Sequence, residues 1–396
     1  DVAPSRGLGD VYKRQVQTMS SFNKYPHVFS PIKIGGMEVK NRVQFSPMVS
    51  SLSTPTGAVS PELLGYIKYQ AQSGVGVITI GSTPINHTNG VDFFGALDVT
   101  SDDNMTDLRR ISEIVHRYGA KISCELVHAG RSAPKQFRPN SPAIAPSAIP
   151  VENGPTDIRE MDERDMETIR NEYCDVAQRL MKSGFDMVMV HAAHGNLLAQ
   201  FLSPKYNQRT DEYGGSAENR ARFAVEAVKA IRSRLPEIPI DYKLAVRQED
   251  PHYGNAGVVE SELGIFVPLL TDAGVTSFHV TLANHSSLED TIPPANHPYF
   301  KEQGCFLKFC DEVRQYTDKP ITGVGGLNQP DFVEQQLASG RITCAAMSRQ
   351  LLADPEWPNK VASGQIKEIH RCVRCNKKCL GGLQQHQGTH CIYEKV

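Results

Sequence analysis

Eight short runs of apolar, β-prone residues, with helical patterns between them, constrain the fold more than any other feature. They span 43–47, 75–80, 121–128, 185–191, 242–247, 276–281, 320–324 and 342–347. Runs this apolar suit strands buried on both faces, and hence a parallel sheet. In the gap before the fifth run, Ser216 can cap a helix whose Ala224, Val228, Ile231 and Leu235 share one face. A second helical pattern covers about 163–183. Eight β/α units predict an α/β fold, a TIM (β/α)8 barrel, rather than an open doubly wound sheet. A chain of 396 residues is compatible with one such barrel domain.

Barrels of this kind place chemistry at the C-terminal ends of their strands. Polar residues concentrate there: Ser46-Pro47-Met48, His128 and Arg131, His191 and His194, Arg247, the glycines of 323–326, and Ser348-Arg349. The glycine run either makes a tight turn or lets backbone N–H groups approach an anion, and Arg349 at the next strand end adds a fixed charge suited to phosphate. His191 and His194 are either a core and a capping histidine or, if a helical turn follows the strand, two imidazoles on one face. So placed, they can donate to one carbonyl oxygen and stabilise an enolate-like transition state. Zinc is a weaker reading, with no third ligand nearby. The irregular stretch 132–156 reads as a long loop over the active face, a lid or an interface.

Composition excludes some classes. Forty-two basic and 44 acidic residues leave a net charge of -2 with no basic stripe, so nucleic acid is not an expected partner. No apolar run spans a bilayer and no signal pattern is present, which makes the cytoplasm the default compartment. Of nine cysteines, five are scattered. The other four, Cys372, Cys375, Cys379 and Cys391, follow the spacing C-x2-C-x3-C-x11-C. Four thiolates suit either tetrahedral zinc or a [4Fe–4S] cluster.

The run 191–204, the block 207–216 with its Arg-Thr-Asp-Glu-Tyr-Gly-Gly-Ser, and Glu218-Asn219-Arg220 resemble the old yellow enzyme family, as does the opening Phe29 to Gly36 with Lys40-Asn41-Arg42. The cysteine pattern is similar to that of the larger members, such as 2,4-dienoyl-CoA reductase, clostridial enoate reductases and trimethylamine dehydrogenase. The resemblance runs from about residue 22 to the end and implies FMN on the barrel top. Ser46, Pro47, Met48 and Ser82 would face the flavin ring, with Arg247 at its pyrimidine edge. Gly325, Ser348 and Arg349 would hold its phosphate. His191 and His194 would hold the carbonyl of an unsaturated small-molecule substrate whose C=C receives hydride from the reduced flavin. The four cysteines would hold a [4Fe–4S] cluster.

Two positions depart from the family pattern. Asn196 replaces a tyrosine that serves as proton donor, which leaves His285 as the candidate, with solvent as the alternative. Glu125 replaces a glutamine against the flavin, and the sequence does not say whether it is ionised. Members with these cysteines usually continue into FAD- and NAD(P)H-binding domains, for which no G-x-G-x-x-G fingerprint is present. The expected organisation is therefore a non-native leader over 1–18, a barrel over 19–370, and the start of an iron–sulfur module over 371–396. The electron source would be NAD(P)H or another donor, and a homo-oligomer is compatible with the sequence. Two other readings stay open. An amine dehydrogenase would need an aromatic cation cage, and the single Trp357 falls after the last strand. A non-redox phosphate-binding barrel with structural zinc would need a strand-top lysine, and Lys243 lies four residues before its strand end without an evident acid partner.

Overall fold

In a computed structural model, residues 24–151, 154–247, 258–282 and 288–394 are described. All eight predicted runs form strands: β1 Val43–Phe45, β2 Val77–Pro84, β3 Lys121–Val127, β4 Met187–Ala192, β5 Ile240–Arg247, β6 Ser277–Leu282, β7 Ile321–Gly323 and β8 Cys344–Met347. Each pairs in parallel with the next, and β8 pairs back onto β1, so the barrel closes. Closure removes the exposed edges that an open sheet must protect.

Side chains alternate along each strand. On β5, Tyr242, Leu244 and Val246 belong to the main apolar core, shared with the helices. Asp241, Lys243 and Arg247 have the opposite parity and are also buried. The same split puts Ser123 and Glu125 of β3, His191 of β4, and His279 and Thr281 of β6 on the inner parity. Strand β5 thus serves two interiors, apolar outward and polar inward, and β3, β4 and β6 add polar groups to the inner one.

The helix Glu163–Lys182 begins at a reciprocal cap between Asp162 and Asp165. The helix Ala217–Arg234 begins at Ser216, whose hydroxyl accepts from Asn219 N at 3.3 Å. Its Ala224, Val228 and Ile231 are buried as predicted, while Leu235 is the residue after the last turn and is only partly buried.

Two features go beyond the sequence reading. An antiparallel hairpin, Ile32–Ile34 with Met37–Val39, packs on Val77, Met187 and Cys344, the first residues of β2, β4 and β8. It plugs the floor of the barrel. Its turn glycine, Gly35 at φ +55°, leaves 3.0 Å between an added Cβ and Thr276 Cγ2. The stretch 132–156, expected to be irregular, contains the strand Ala143–Ala145, which pairs in parallel with Ile158–Glu160. Buried Arg138 organises it, binding Asp157 at 2.8 and 2.9 Å and the carbonyls of Ala133 and Ser141. A guanidinium has five donors and satisfies several backbone acceptors at once, which composition alone does not reveal.

The C-terminal segment folds over the barrel mouth. Thr389 donates through Oγ1 to Val49 O at 2.7 Å and through its backbone N to Ser50 O at 3.0 Å. Among the described residues no helix is long and apolar enough to cross a membrane.

Candidate active site

The C-terminal strand ends surround a cavity of about 370 Å³, within the size range of cofactor and ligand sites. Ser46, Pro47, Met48, Ser82, Glu125, His191, His194, Gly325, Ser348 and Arg349 all line it. Arg247 does not. It is buried at the end of β5, one inward position beyond Ala245, and the cation of β5 that reaches the cavity is Lys243. His285 lies outside the described residues.

Lys243 has an acid partner, contrary to the sequence reading. Its Nζ donates to Glu125 Oε1 at 2.7 Å, with both side chains almost fully buried. The ion pair crosses from β5 to β3, 118 residues apart in sequence. It also settles the arrangement at Glu125, which is matched by a cation. Strand register explains why the charged groups converge. His191 of β4 and His279 of β6 are the ladder partners of Lys243 on either side.

His191 Nε2 lies 3.7 Å from the same Glu125 oxygen. Its Nδ1 accepts from Ala193 N at 3.3 Å, so the ring proton resides on Nε2. Burial, then the charges of Lys243 and His279, hold its pKa well below the usual histidine value, and the ring is a neutral donor at physiological pH. His194 Nδ1 faces His191 Nε2 at 3.4 Å, with ring centroids 5.1 Å apart. The expected helical turn is absent between them. His191 is the last residue but one of the strand, and a left-handed backbone at His194, φ 52°, lies between it and the helix Leu197–Leu202. Asn196 precedes that helix and also lines the cavity.

At the opposite rim, Gly325 and Gly326 have φ of +122° and +72°, and a Cβ on Gly325 would lie 2.8 Å from Phe306 N. Bare backbone is required here. Arg349 donates to Pro293 O at 3.0 Å and to Asn376 Oδ1 at 2.7 Å. A flavin fits this set of groups. Gly81 keeps the wall thin, since a Cβ there would come 2.5 Å from Glu125 Oε2 and 2.6 Å from Pro47 Cβ. The Lys243–Glu125 pair offers a donor and an acceptor for a polar ring edge. The glycine turn with Ser348 and Arg349 offers an anion cradle.

Sequence reasoning missed Asp92, which also lines the cavity. It lies in the loop after β2. Ser82 Oγ donates to its Oδ2 at 2.8 Å, while Oδ1 is buried and makes no hydrogen bond of ordinary geometry among the described residues. Burial raises its pKa to about 7, against the Ser82 hydrogen bond. Nothing in the local sequence marks it. Lys243, by contrast, could have been found, because it has the parity of Arg247 and lies four residues nearer the barrel centre.

Cys372, Cys375, Cys379 and Cys391 line one small second cavity of about 20 Å³, with Asn376 and His390. Arg374 and Asn376, between these cysteines, have left-handed backbones, φ 51° and 56°. Among the described residues no three His, Cys, Asp or Glu side chains close on a point as a single metal ion requires. The four cysteines share one cavity wall, and as a donor set they would suit a cluster with one cysteine per iron. Cys372, Cys379 and Arg349 line both cavities.

A closed barrel with this polar mouth defines a class of enzyme, the flavin oxidoreductases. A profile of the NADH:flavin oxidoreductase / NADH oxidase family matches residues 27–368, and the chain belongs to that family. It is 44% identical over 380 residues to a bilirubin reductase of Clostridium symbiosum (strain WAL-14163), covering 94% of this chain and 98% of that protein. Several other curated relatives are longer, and the chain spans 53–57% of the length of four of them. Of solved structures, a 2-naphthoyl-CoA reductase bound to 2-naphthoyl-CoA superposes with a TM-score of 0.84 at 26% identity, covering 93% of this chain and 57% of that one. Histamine dehydrogenase from Rhizobium sp. 4-9 gives 0.83 at 29% identity, covering 94% and 52%.

Proposed function

We propose that this enzyme reduces a carbon–carbon double bond conjugated to a carbonyl, with FMN as its flavin. The observation that carries the reading is the pair of facing ring nitrogens of His191 and His194, 3.4 Å apart in the cavity wall. Reduced FMN supplies a hydride when bound. The histidine pair holds the substrate carbonyl, and the neutral Nε2–H of His191 stabilises the charge that grows on oxygen as the adjacent C=C takes up hydride. Lys243 and Glu125 hold the flavin's polar edge, and Ser348, Arg349 and the Gly325 backbone hold its phosphate. A linear tetrapyrrole fits this chemistry, because its unsaturated bridges are conjugated to terminal lactam carbonyls. The 44% identity to a bilirubin reductase makes bilirubin the first substrate to test. Anaerobic incubation with NADH or NADPH and bilirubin, an enone, or an enoyl thioester should yield a product heavier by two hydrogens. No gain in any of these classes would contradict the reading.

Amine oxidation is the second reading, supported by the likeness to histamine dehydrogenase. The aromatic side chains lining the cavity, among the described residues, are Phe93, Phe306 and the imidazoles of His191, His194 and His279. Two phenylalanines make a poor cage for an ammonium, and the histidine pair suits a carbonyl.

We further infer that the four cysteines hold a [4Fe–4S] cluster that passes electrons across the wall formed by Cys372 and Cys379. Protein purified anaerobically should contain iron and acid-labile sulfide at about four of each per chain. Cys375→Ser should lose most of both while retaining flavin. Equal metal content in the variant, or zinc in place of iron, would contradict the assignment.

A further inference from the structure

We infer that the Asp92 carboxyl is the acid that protonates the substrate carbon next to the carbonyl. The inference rests on the double-bond reduction proposed above and supplies the proton donor that Asn196, an amide, cannot provide.

Geometry places the group. Asp92 shares the cavity with His191 and His194. The loop that carries it is pinned just upstream: Gly90 N donates to Asn86 O at 3.2 Å, and Ala129 N donates to Gly90 O at 2.9 Å. A Cβ on Gly90 would lie 2.8 Å from both Asn86 O and His128 Cδ2, so this approach needs glycine. Ser82 engages Oδ2, which leaves Oδ1 to carry a proton when the carboxyl is neutral, and burial outweighs the Ser82 hydroxyl and the backbone N–H groups of Asp92 and Phe93 that favour the ionised form. Oδ1 has no hydrogen bond of ordinary geometry to compete for that proton among the described residues.

The other ionisable groups around the cavity have partners, with His279 Nδ1 left without a hydrogen bond among the described residues. Lys243 donates to Glu125. His279 Nε2 pairs with Ser46 Oγ at 3.2 Å. His191 Nε2 and His194 Nδ1 pair with each other at 3.4 Å. Arg349 and Arg374 donate to backbone carbonyls, and Cys372 and Cys379 line the cavity where it adjoins the four-cysteine pocket. Glu125 acts on Asp92 through its charge and, with burial, keeps the acid form available at neutral pH.

The step balances. The substrate gains a hydride at its β-carbon from the reduced flavin, which loses two electrons, and becomes an enolate. The Asp92 O–H bond then breaks, a C–H bond forms at the α-carbon, and the carboxylate regains its proton from solvent. NAD(P)H is the external two-electron reductant.

The test compares wild type, Asp92→Asn and Asp92→Glu in single turnovers of reduced holoenzyme with bilirubin or an enone, across neutral pH. The wild-type rate should fall as pH rises through about 7, where the acid form is lost. Asp92→Asn should be slower by roughly 10²–10⁴-fold without that pH break, and Asp92→Glu should restore the break. Infrared spectra of the substrate-free protein should show a protonated-carboxyl C=O band that titrates in the same range and is missing from Asp92→Asn. An Asp92→Asn variant with the wild-type rate and break, or no such band in wild type, would overturn the assignment. A wild-type flavin that no conjugated alkene reoxidises would overturn the reduction reading, and this inference with it.

Discussion

A Lys243→Met variant is expected to unfold at a clearly lower denaturant concentration than wild type, at a cost of about 3–5 kcal/mol. The side chains of Lys243 and Glu125 are 7% and 4% exposed and 2.7 Å apart. Removing the cation leaves a carboxylate inside the barrel with the neutral His191 ring at 3.7 Å. A buried carboxyl without its cation takes up a proton, so the defect should shrink as pH is lowered. Lys243→Met combined with Glu125→Gln should recover most of the loss, because neither charge is then stranded. The same single variant should bind flavin weakly, since Lys243 is the β5 cation that reaches the cavity. Equal unfolding midpoints for wild type and Lys243→Met would show that water reaches the pair and that the inner charged layer is not the dry structure described above.

The second large effect concerns the carbonyl site. His191→Ala should slow reoxidation of reduced flavin by an unsaturated carbonyl compound roughly 10²–10³-fold, the usual consequence of removing one donor to a developing oxyanion. Its ring is neutral because burial and the nearby Lys243 disfavour the charged form. The contribution of His191 should therefore stay constant across neutral pH rather than titrate as an exposed imidazole does. His194→Ala should show a loss of similar kind, and the double variant less than the product of the two, because both rings address one oxygen. Stopped-flow traces of flavin absorbance report this directly. An unchanged reoxidation rate in His191→Ala would remove the histidine pair from the mechanism.

Much of the barrel was legible because its signal is periodic. Every apolar run predicted as a strand is one, and the Ser216 cap and the buried Ala224, Val228 and Ile231 are where the pattern put them, Leu235 alone falling past the helix end. Residues at strand ends were legible for the same reason, since fold class alone says which end carries chemistry. The failures share a cause. Lys243 was passed over because its acid partner, Glu125, comes from another strand. The Lys243–Glu125 pair depends on ladder register between strands 118 residues apart, which a single sequence does not display. The turn at His194 needed a left-handed residue that is not glycine, and a local pattern gives no warning of one. Asp92 acquires its chemistry from burial and from Ser82, both consequences of the folded chain. Arg138 shaped a stretch that its Pro, Ser and Ala content made look structureless.

The most direct test of the central claim is anaerobic. The protein, reduced to the colourless flavin state by dithionite, is mixed with bilirubin, a simple enone, an enoate and an enoyl thioester in separate experiments, and the return of oxidised flavin absorbance is followed. Reduction of a conjugated C=C predicts rapid return with at least one of these and none with their saturated counterparts. A flavin that stays reduced with every unsaturated carbonyl, yet is reduced by an amine when it starts oxidised, would contradict the account and establish the amine dehydrogenase reading.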